Sequence, residues 1–283
     1  MIQSMTGYGK SVVQLDSKKI TIEIKSLNSK NLDLNMRFPT VYKEKEVDVR
    51  RWLAKELLRG KIDLSIFVES TTEETSTKIN RGIVAKYIEQ LETIRKEADI
   101  LSIAMRLPDV LKTEKEELDE EEWKQIEGGI QEAMAGLVEF RRAEGFELKR
   151  DFEDRIGIIT ERLEAVMTHD SARLEQVRNR LKKAIAELQQ TVDENRFEQE
   201  LVYYLEKLDI TEEKVRLENH LSYFLQELRA EESNGKKLGF ICQEMGREIN
   251  TIGSKANFAP MQKVVVEMKD ELEKIKEQLL NVL

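Results

Sequence analysis

The chain has 283 residues, of which 40% are apolar and 36% charged, with a formal net charge of −9. That length predicts one large domain or two with material for a real core, and no run approaches the eighteen apolar residues of a membrane span. A single cysteine, Cys242, rules out an intramolecular disulfide and a zinc site built from cysteine alone; with an N-terminus unlike a secretory signal, it fits a reducing cytoplasm.

Charge is uneven along the chain. Residues 1–70 hold 13 Lys and Arg against 9 Asp and Glu, so the remainder is strongly acidic. Net acidity argues against indiscriminate binding of nucleic acid, and any surface that contacts phosphates is expected to draw on the basic N-terminal part.

That part reads as sheet. A first strand is expected around residues 5–15, and Ile20, Ile22 and Ile24, then Leu32, Leu34 and Met36, alternate with polar residues as half-buried strands do. The polar stretch 16–19 predicts one turn, and the loop 26–31 predicts a hairpin between the second and third strands. Gly7 and Gly9 point to a bulge or close backbone approach, because Lys10 stands outside any phosphate-loop pattern. Residues 41–58 predict an amphipathic helix with Val47, Val49, Leu53, Leu57 and Leu58 inward, followed by a strand carrying Ile62, Leu64, Ile66 and Val68.

Beyond a polar connector at 71–79, helical spacing recurs at 79–98. Residues 114–122 hold seven acids in nine positions, read as a surface loop or helix start. Long helices are expected at 121–166 and, after a break at Thr168-His169-Asp170, up to about residue 192. A last helix over 260–282 carries the seam Val264, Val265, Met268, Leu272, Ile275 and Leu279, which needs a partner in a bundle or an oligomer. The fold class expected is α+β: an N-terminal antiparallel sheet with a packed helix, then a mainly helical region of long antiparallel helices. Its divisions fall at 1–80, 81–193 and 194–283.

The densest polar constellation lies in residues 194–257. Leu217, Leu221, Phe224, Leu225 and Leu228 mark one helix over 211–231 with Thr211 as N-cap, and Leu238, Ile241, Cys242, Met245 and Ile249 mark a second over 236–250. Joined at Ser233-Asn234-Gly235, they should pack antiparallel. Glu213, Arg216 and His220 share a face of the first, and Glu244 and Glu248 lie one turn apart on the second. Together the two faces are compatible with a divalent ion; the plainer alternative is solvated helix faces, with His220 a hydrogen-bonded interfacial residue.

These residues also carry a resemblance. MIQSMTGYGK, IEIKSLNSKNLDLNMRFP, RGKIDLSIFVE, NRFEQELVYYLEKLDITEEKVRLENHL and GKKLGFICQEMGREINTIGSKAN resemble the YicC/YloC family of bacterial endoribonucleases. The match covers both ends of the chain, whereas the middle agrees in length and helical character only. The resemblance implies a metal-dependent endoribonuclease acting in small regulatory RNA or mRNA turnover, using Mg²⁺ or Mn²⁺. Partners implied are RNA, other RNA-decay proteins and further copies of itself in a ring-like hexamer. On this chain the expected catalytic residues are Glu218, His220, Glu244 and Glu248, with Glu200, Asp209, Glu213, Glu244 and Glu248 as metal ligands. Expected RNA contacts are Lys25, Asn28, Arg37, Arg59, Lys61, Arg216, Arg247, Asn250 and Lys255. The other class of function open to such a chain is a non-catalytic RNA-binding adaptor or helical scaffold.

Overall fold

The computed structural model describes residues 2–57, 59–70, 77–94, 99–113, 118–187, 194–230 and 233–283. Strands β1 (Gly7–Gln14) and β2 (Lys18–Leu27) pair antiparallel, and the turn between them is closed by the Leu15 N–H on the Lys18 carbonyl at 2.8 Å. Alternation puts Ile20, Ile22 and Ile24 on one face, where all three are fully buried.

The hairpin expected between the second and third strands does not form. Strand β3 (Leu32–Arg37) instead runs parallel to β4 (Gly60–Ser70), which inserts beside β2 to give the order β1-β2-β4-β3. The sheet is therefore mixed rather than antiparallel. Burial explains the exchange: Ile62 and Leu64 of β4 are wholly buried, while Leu32, Leu34 and Met36 of β3 are half-buried, so the strand with the stronger apolar face takes the centre. The parallel crossover is supplied by a 3-10 turn, Thr40–Lys45, and helix α1 (Glu46–Glu56). Val49, Leu53 and Leu57 face the sheet as expected, but Val47 is exposed and Leu58 lies outside the described residues.

A small satellite follows: β5 (Thr77–Ile79), α2 (Arg81–Ile94), α3 (Ile100–Ala104) and β6 (Leu111–Thr113), packed about Val84, Ala104 and Val110. Most of the acidic run, from Leu118 onward, leads into α4 (Glu120–Glu187); residues 114–117 lie outside the described residues.

Helix α4 is one continuous helix of 68 residues, about 100 Å long at 1.5 Å per residue. Trp123, Ile126, Ile130, Ala133 and Leu137 pack on the sheet, and Phe152, Ile156, Ile159, Leu163 and Val166 pack in the C-terminal core. The break expected at Thr168-His169-Asp170 is absent, because steps of three and four continue through Asp170, Arg173 and Val177. Thr168 donates its hydroxyl to the Glu164 carbonyl at 3.0 Å, satisfying it within the helix, and the His169 ring stands 6.1 Å from that of Phe258.

Gly9 shows how tightly β1 lies on α4: a Cβ there would come within 1.8 Å of the Ala133 carbonyl oxygen. Close approach, not a bulge, is what this glycine provides.

The C-terminal region contains α5 (Glu194–Lys207), α6 (Thr211–Leu228), α7 (Gly235–Lys255) and α8 (Ala259–Leu279). The α8 seam finds its partners inside the chain, against α4 and α7. Residues 281–283 then return to the N-terminal segment through a Ser4–Val282 bridge and a 2.8 Å bond from the Met5 N–H to the Asn281 carbonyl. No helix among the described residues is long and apolar enough to cross a membrane.

Candidate active site on the C-terminal helical hairpin

Two ion pairs fix α6 against α7. Glu213 meets Lys255 at 2.8 Å at one end and Glu227 meets Lys237 at 2.7 Å at the other, so the helices run antiparallel as expected. Residues seven apart return to nearly the same helix face. His220 is seven residues from both Glu213 and Glu227, Glu244 is seven from Lys237, and Glu248 is seven from Lys255. His220, Glu244 and Glu248 therefore occupy the same flank of the hairpin, midway between the two ion pairs. His220 is half-buried and Glu248 is 8% exposed, and neither side chain has a hydrogen bond or ion pair with any described residue. Glu244 is held by Arg247 at 2.6 Å.

The remaining expected residues are placed elsewhere. Glu218 is exposed on a different face of α6, two residues off the His220 row, and Glu200 is exposed on α5. Arg216 lies on the His220 row and pairs with Glu212, while Asn250 is exposed on α7.

Asp209, Glu213 and Lys255 belong to a charged node where α4, the α5–α6 turn, α6 and the end of α7 meet. Its centre is Arg173, only 2% exposed, which donates to Asp170 at 2.7 Å, to the Leu208 carbonyl at 2.8 Å and to the Lys255 carbonyl at 3.3 Å. Lys214 reaches the other Asp170 oxygen at 2.7 Å, and the Lys255 ammonium donates to the Asp209 carbonyl at 2.8 Å besides pairing with Glu213. Each cation is matched, and the Lys255 carbonyl at the end of α7 is capped by Arg173. Of the node's described side chains, Glu213 Oε2 is buried without a partner. Asp170, Arg173 and Lys214 were not among the expected site residues, although the unbroken α4 seam passes through the first two.

At the start of α6 the cap differs from expectation. Thr211 is the first helical residue, and the Asp209 carboxylate accepts its hydroxyl at 2.8 Å and its N–H at 3.3 Å. The Thr211 hydroxyl, then the backbone N–H groups beside it, hold the Asp209 carboxyl below the usual carboxylate range. Burial pushes the Cys242 thiol up to about 12.

Among the described residues, no three His, Cys, Asp or Glu side chains are placed to hold a metal ion. The expected ligands are spread along the hairpin: Asp209 and Glu213 sit at the node, and Glu248 is two helical turns away, about 10 Å along α7 from Lys255. The set does not fit a divalent ion within one chain.

Of the expected N-terminal RNA contacts, Lys25 pairs with Glu23 at 3.1 Å, whereas Arg37 and Lys61 are exposed without an ion pair among the described residues. Asn28 and Arg59 tie down the end of the chain, donating to the Leu280 carbonyl at 2.6 Å and the Val282 carbonyl at 2.7 Å.

Residues 2–150 match the N-terminal region, and residues 166–283 the C-terminal region, of the endoribonuclease YicC-like family. A Clostridioides difficile protein named probable endoribonuclease YicC is 34% identical over 292 residues, covering the whole of both chains. A Haemophilus influenzae protein of the same name is 28% identical over 287 residues, again with full coverage of both. On these matches, which run through the sheet, the long α4 spine and the hairpin alike, the chain belongs to the YicC-like endoribonuclease family.

Proposed function

We infer that this protein is an endoribonuclease, a hydrolase acting on RNA phosphodiester bonds, and that the α6/α7 flank bearing His220, Glu244 and Glu248 is where it acts. The reading is supported by the helical spacing that puts these three on one flank of the hairpin between its two ion pairs, inside the segment matched to the family's C-terminal region. A histidine beside carboxylates suits proton transfer at neutral pH, with a nearly buried carboxylate to orient or accept from the imidazole. Turnover of small regulatory RNA or mRNA belongs to the same proposal.

Dependence on Mg²⁺ or Mn²⁺ is a separate part of the proposal. It is supported by the excess of carboxylates over the chain's two histidines; among the described residues of one chain no ligand set for the ion is gathered. Assembly into a ring-like hexamer is supported by exposed apolar residues on the long helices, among them Phe146 on α4 and Tyr203 on α5. Mass photometry at micromolar concentration should show the oligomer, and a monomer there removes that part. A cytoplasmic location accords with the free, buried Cys242.

The test is cleavage of an end-labelled RNA by wild type and by a Glu244→Gln, Glu248→Gln double variant, with and without EDTA. Wild type should cut and the folded double variant should lose orders of magnitude in rate with RNA affinity held. Loss of cutting in EDTA supports the metal, and cutting that survives EDTA removes it. The scaffold reading draws on Glu244–Arg247 and Glu213–Lys255 acting as plain salt bridges; RNA binding with no cleavage by wild type would establish it instead.

A further inference from the structure

A cavity of about 540 Å³ opens where the N-terminal sheet meets the start of α7 and the end of α8. Its wall includes Lys30, Arg59, Lys236 and Lys276, together with Phe240 and Gly239, and none of its lining residues is acidic. In a chain of net charge −9, an opening whose wall carries four cations and no acidic residue is a local reversal of sign. Lys276 is already paired with Glu273 at 2.7 Å, but neither Lys30 nor Lys236 has an ion pair with any described residue, and the Arg59 Nε is buried without a partner. The first-turn amides of α7 contribute little: the Gly235 N–H bonds the Leu283 oxygen at 2.9 Å and the Lys237 N–H bonds the Asn234 side chain at 3.0 Å. Attraction for an anion here comes from side chains.

Two further features define the ligand. Phe240 is 56% exposed, an open aromatic face beside unpaired cations. Gly239 sits inside α7, where glycine disfavours a helix, yet a Cβ built on it meets nothing within 4 Å. Packing does not require that glycine. The same open space stands over Gly128 and Gly157, so what makes Gly239 informative is its place on the cavity wall, where a side chain would intrude. From the cavity, steps of four and three along α7 run through Lys236, Phe240, Gln243, Arg247 and Asn250, every one exposed. This row borders Glu244 and Glu248.

We propose that the cavity holds one nucleotide of a single-stranded RNA, its base stacked on Phe240 and its phosphate between Lys30, Arg59 and Lys236, and that the strand continues along the exposed row of α7 toward His220. The inference rests on the RNA reading above and adds where the strand is held. Aromatic stacking with flanking cations is sequence-tolerant, because every base offers a π-face and every nucleotide a phosphate. Gln243 and Asn250 supply amides for base edges or the 2′-hydroxyl.

The test is fluorescence anisotropy with a labelled octaribonucleotide on the intact protein, its integrity checked on a gel after each reading, comparing wild type with Phe240→Ala, Lys236→Gln and Gly239→Met. Phe240→Ala should weaken binding about tenfold, and Lys236→Gln should weaken it while reducing the salt slope by about one. Gly239→Met, which keeps a good helix former, should weaken binding with Tm unchanged or raised. Wild-type affinity in all three, with wild type itself binding, overturns the cavity and leaves the RNA reading intact. No binding by wild type overturns both. If Phe240→Ala changes sedimentation but not affinity, that face is a contact between copies of this chain and the proposal fails.

Discussion

The charged node at Arg173 and the cavity beside Lys236 are built from the same residue types to opposite ends. At the node every cation has its anion or carbonyl: Arg173 with Asp170 and two helix-terminal carbonyls, Lys214 with Asp170, and Lys255 with Glu213. Around the cavity, Lys30 and Lys236 have no carboxylate among the described residues. Paired, dehydrated charge holds helices in place and has no valence left for a ligand; unpaired charge around an opening is attraction held in reserve. Of the expected RNA contacts, Lys255 is engaged by Glu213 and the Asp209 carbonyl, while Asn28 and Arg59 line the opening where we propose that RNA is held.

The largest effect that could break this contrast is at the node. Arg173→Met leaves two carbonyls and half of Asp170 unsatisfied in a buried setting, and should cost about 3–5 kcal/mol, read as a large fall in Tm. A change within 1 kcal/mol would mean that the node holds nothing together. Next is the seat of β1 on α4. Gly9→Ala forces a Cβ into the Ala133 carbonyl and should destabilise by more than the roughly 1 kcal/mol typical of a point substitution, as denaturant titration would register; an unchanged midpoint would show that β1 can lift off without loss.

Acid stability offers a finer comparison. The Asp209 carboxyl is held below its ordinary value by the Thr211 hydroxyl, so its contribution is fully present above the unfolded value near pH ~4 and is lost as pH falls through the lower folded value. Asp209→Asn should therefore lower Tm at neutral pH, with the gap to wild type closing below about pH 4. A gap independent of pH would show that the charge plays no part. The smallest effect concerns Cys242: with its thiol pushed up to about 12 by burial, the native protein should resist thiol reagents at pH 8 and react only on unfolding.

Much of this organisation is legible in the residues. Period-two alternation locates the strands, and the spacing Leu217, Leu221, Phe224, Leu228 locates α6 and its buried face. Strand order is not legible, because β3 and β2 both alternate, and only relative burial across the whole sheet decides that β4 lies between them. The single α4 was obscured by Thr168-His169-Asp170, a polar triplet that reads as a loop until Asp170 and Arg173 are recognised as seam positions meeting charge from α6. For the candidate site, helix periodicity alone brings Glu213, Arg216 and His220 onto one row and pairs Glu244 with Glu248. Which carboxylates are consumed by the node depends on contacts across α4, α6 and α7 that no local spacing encodes. The cavity joins residues more than 200 positions apart, Lys30 with Lys236 and Lys276, and is invisible in sequence for the same reason.

The contrast between the two charged regions is tested most directly by measuring RNA affinity against salt for two double variants. Lys30→Gln with Lys236→Gln removes the unpaired cations, and Lys214→Gln with Lys255→Gln removes two at the node. The first should lower the slope of log Kobs against log salt by about one to two at unchanged Tm, while the second should lower Tm and leave the slope of the remaining folded protein as it was. A slope that falls for the node pair and holds for the cavity pair would contradict the account.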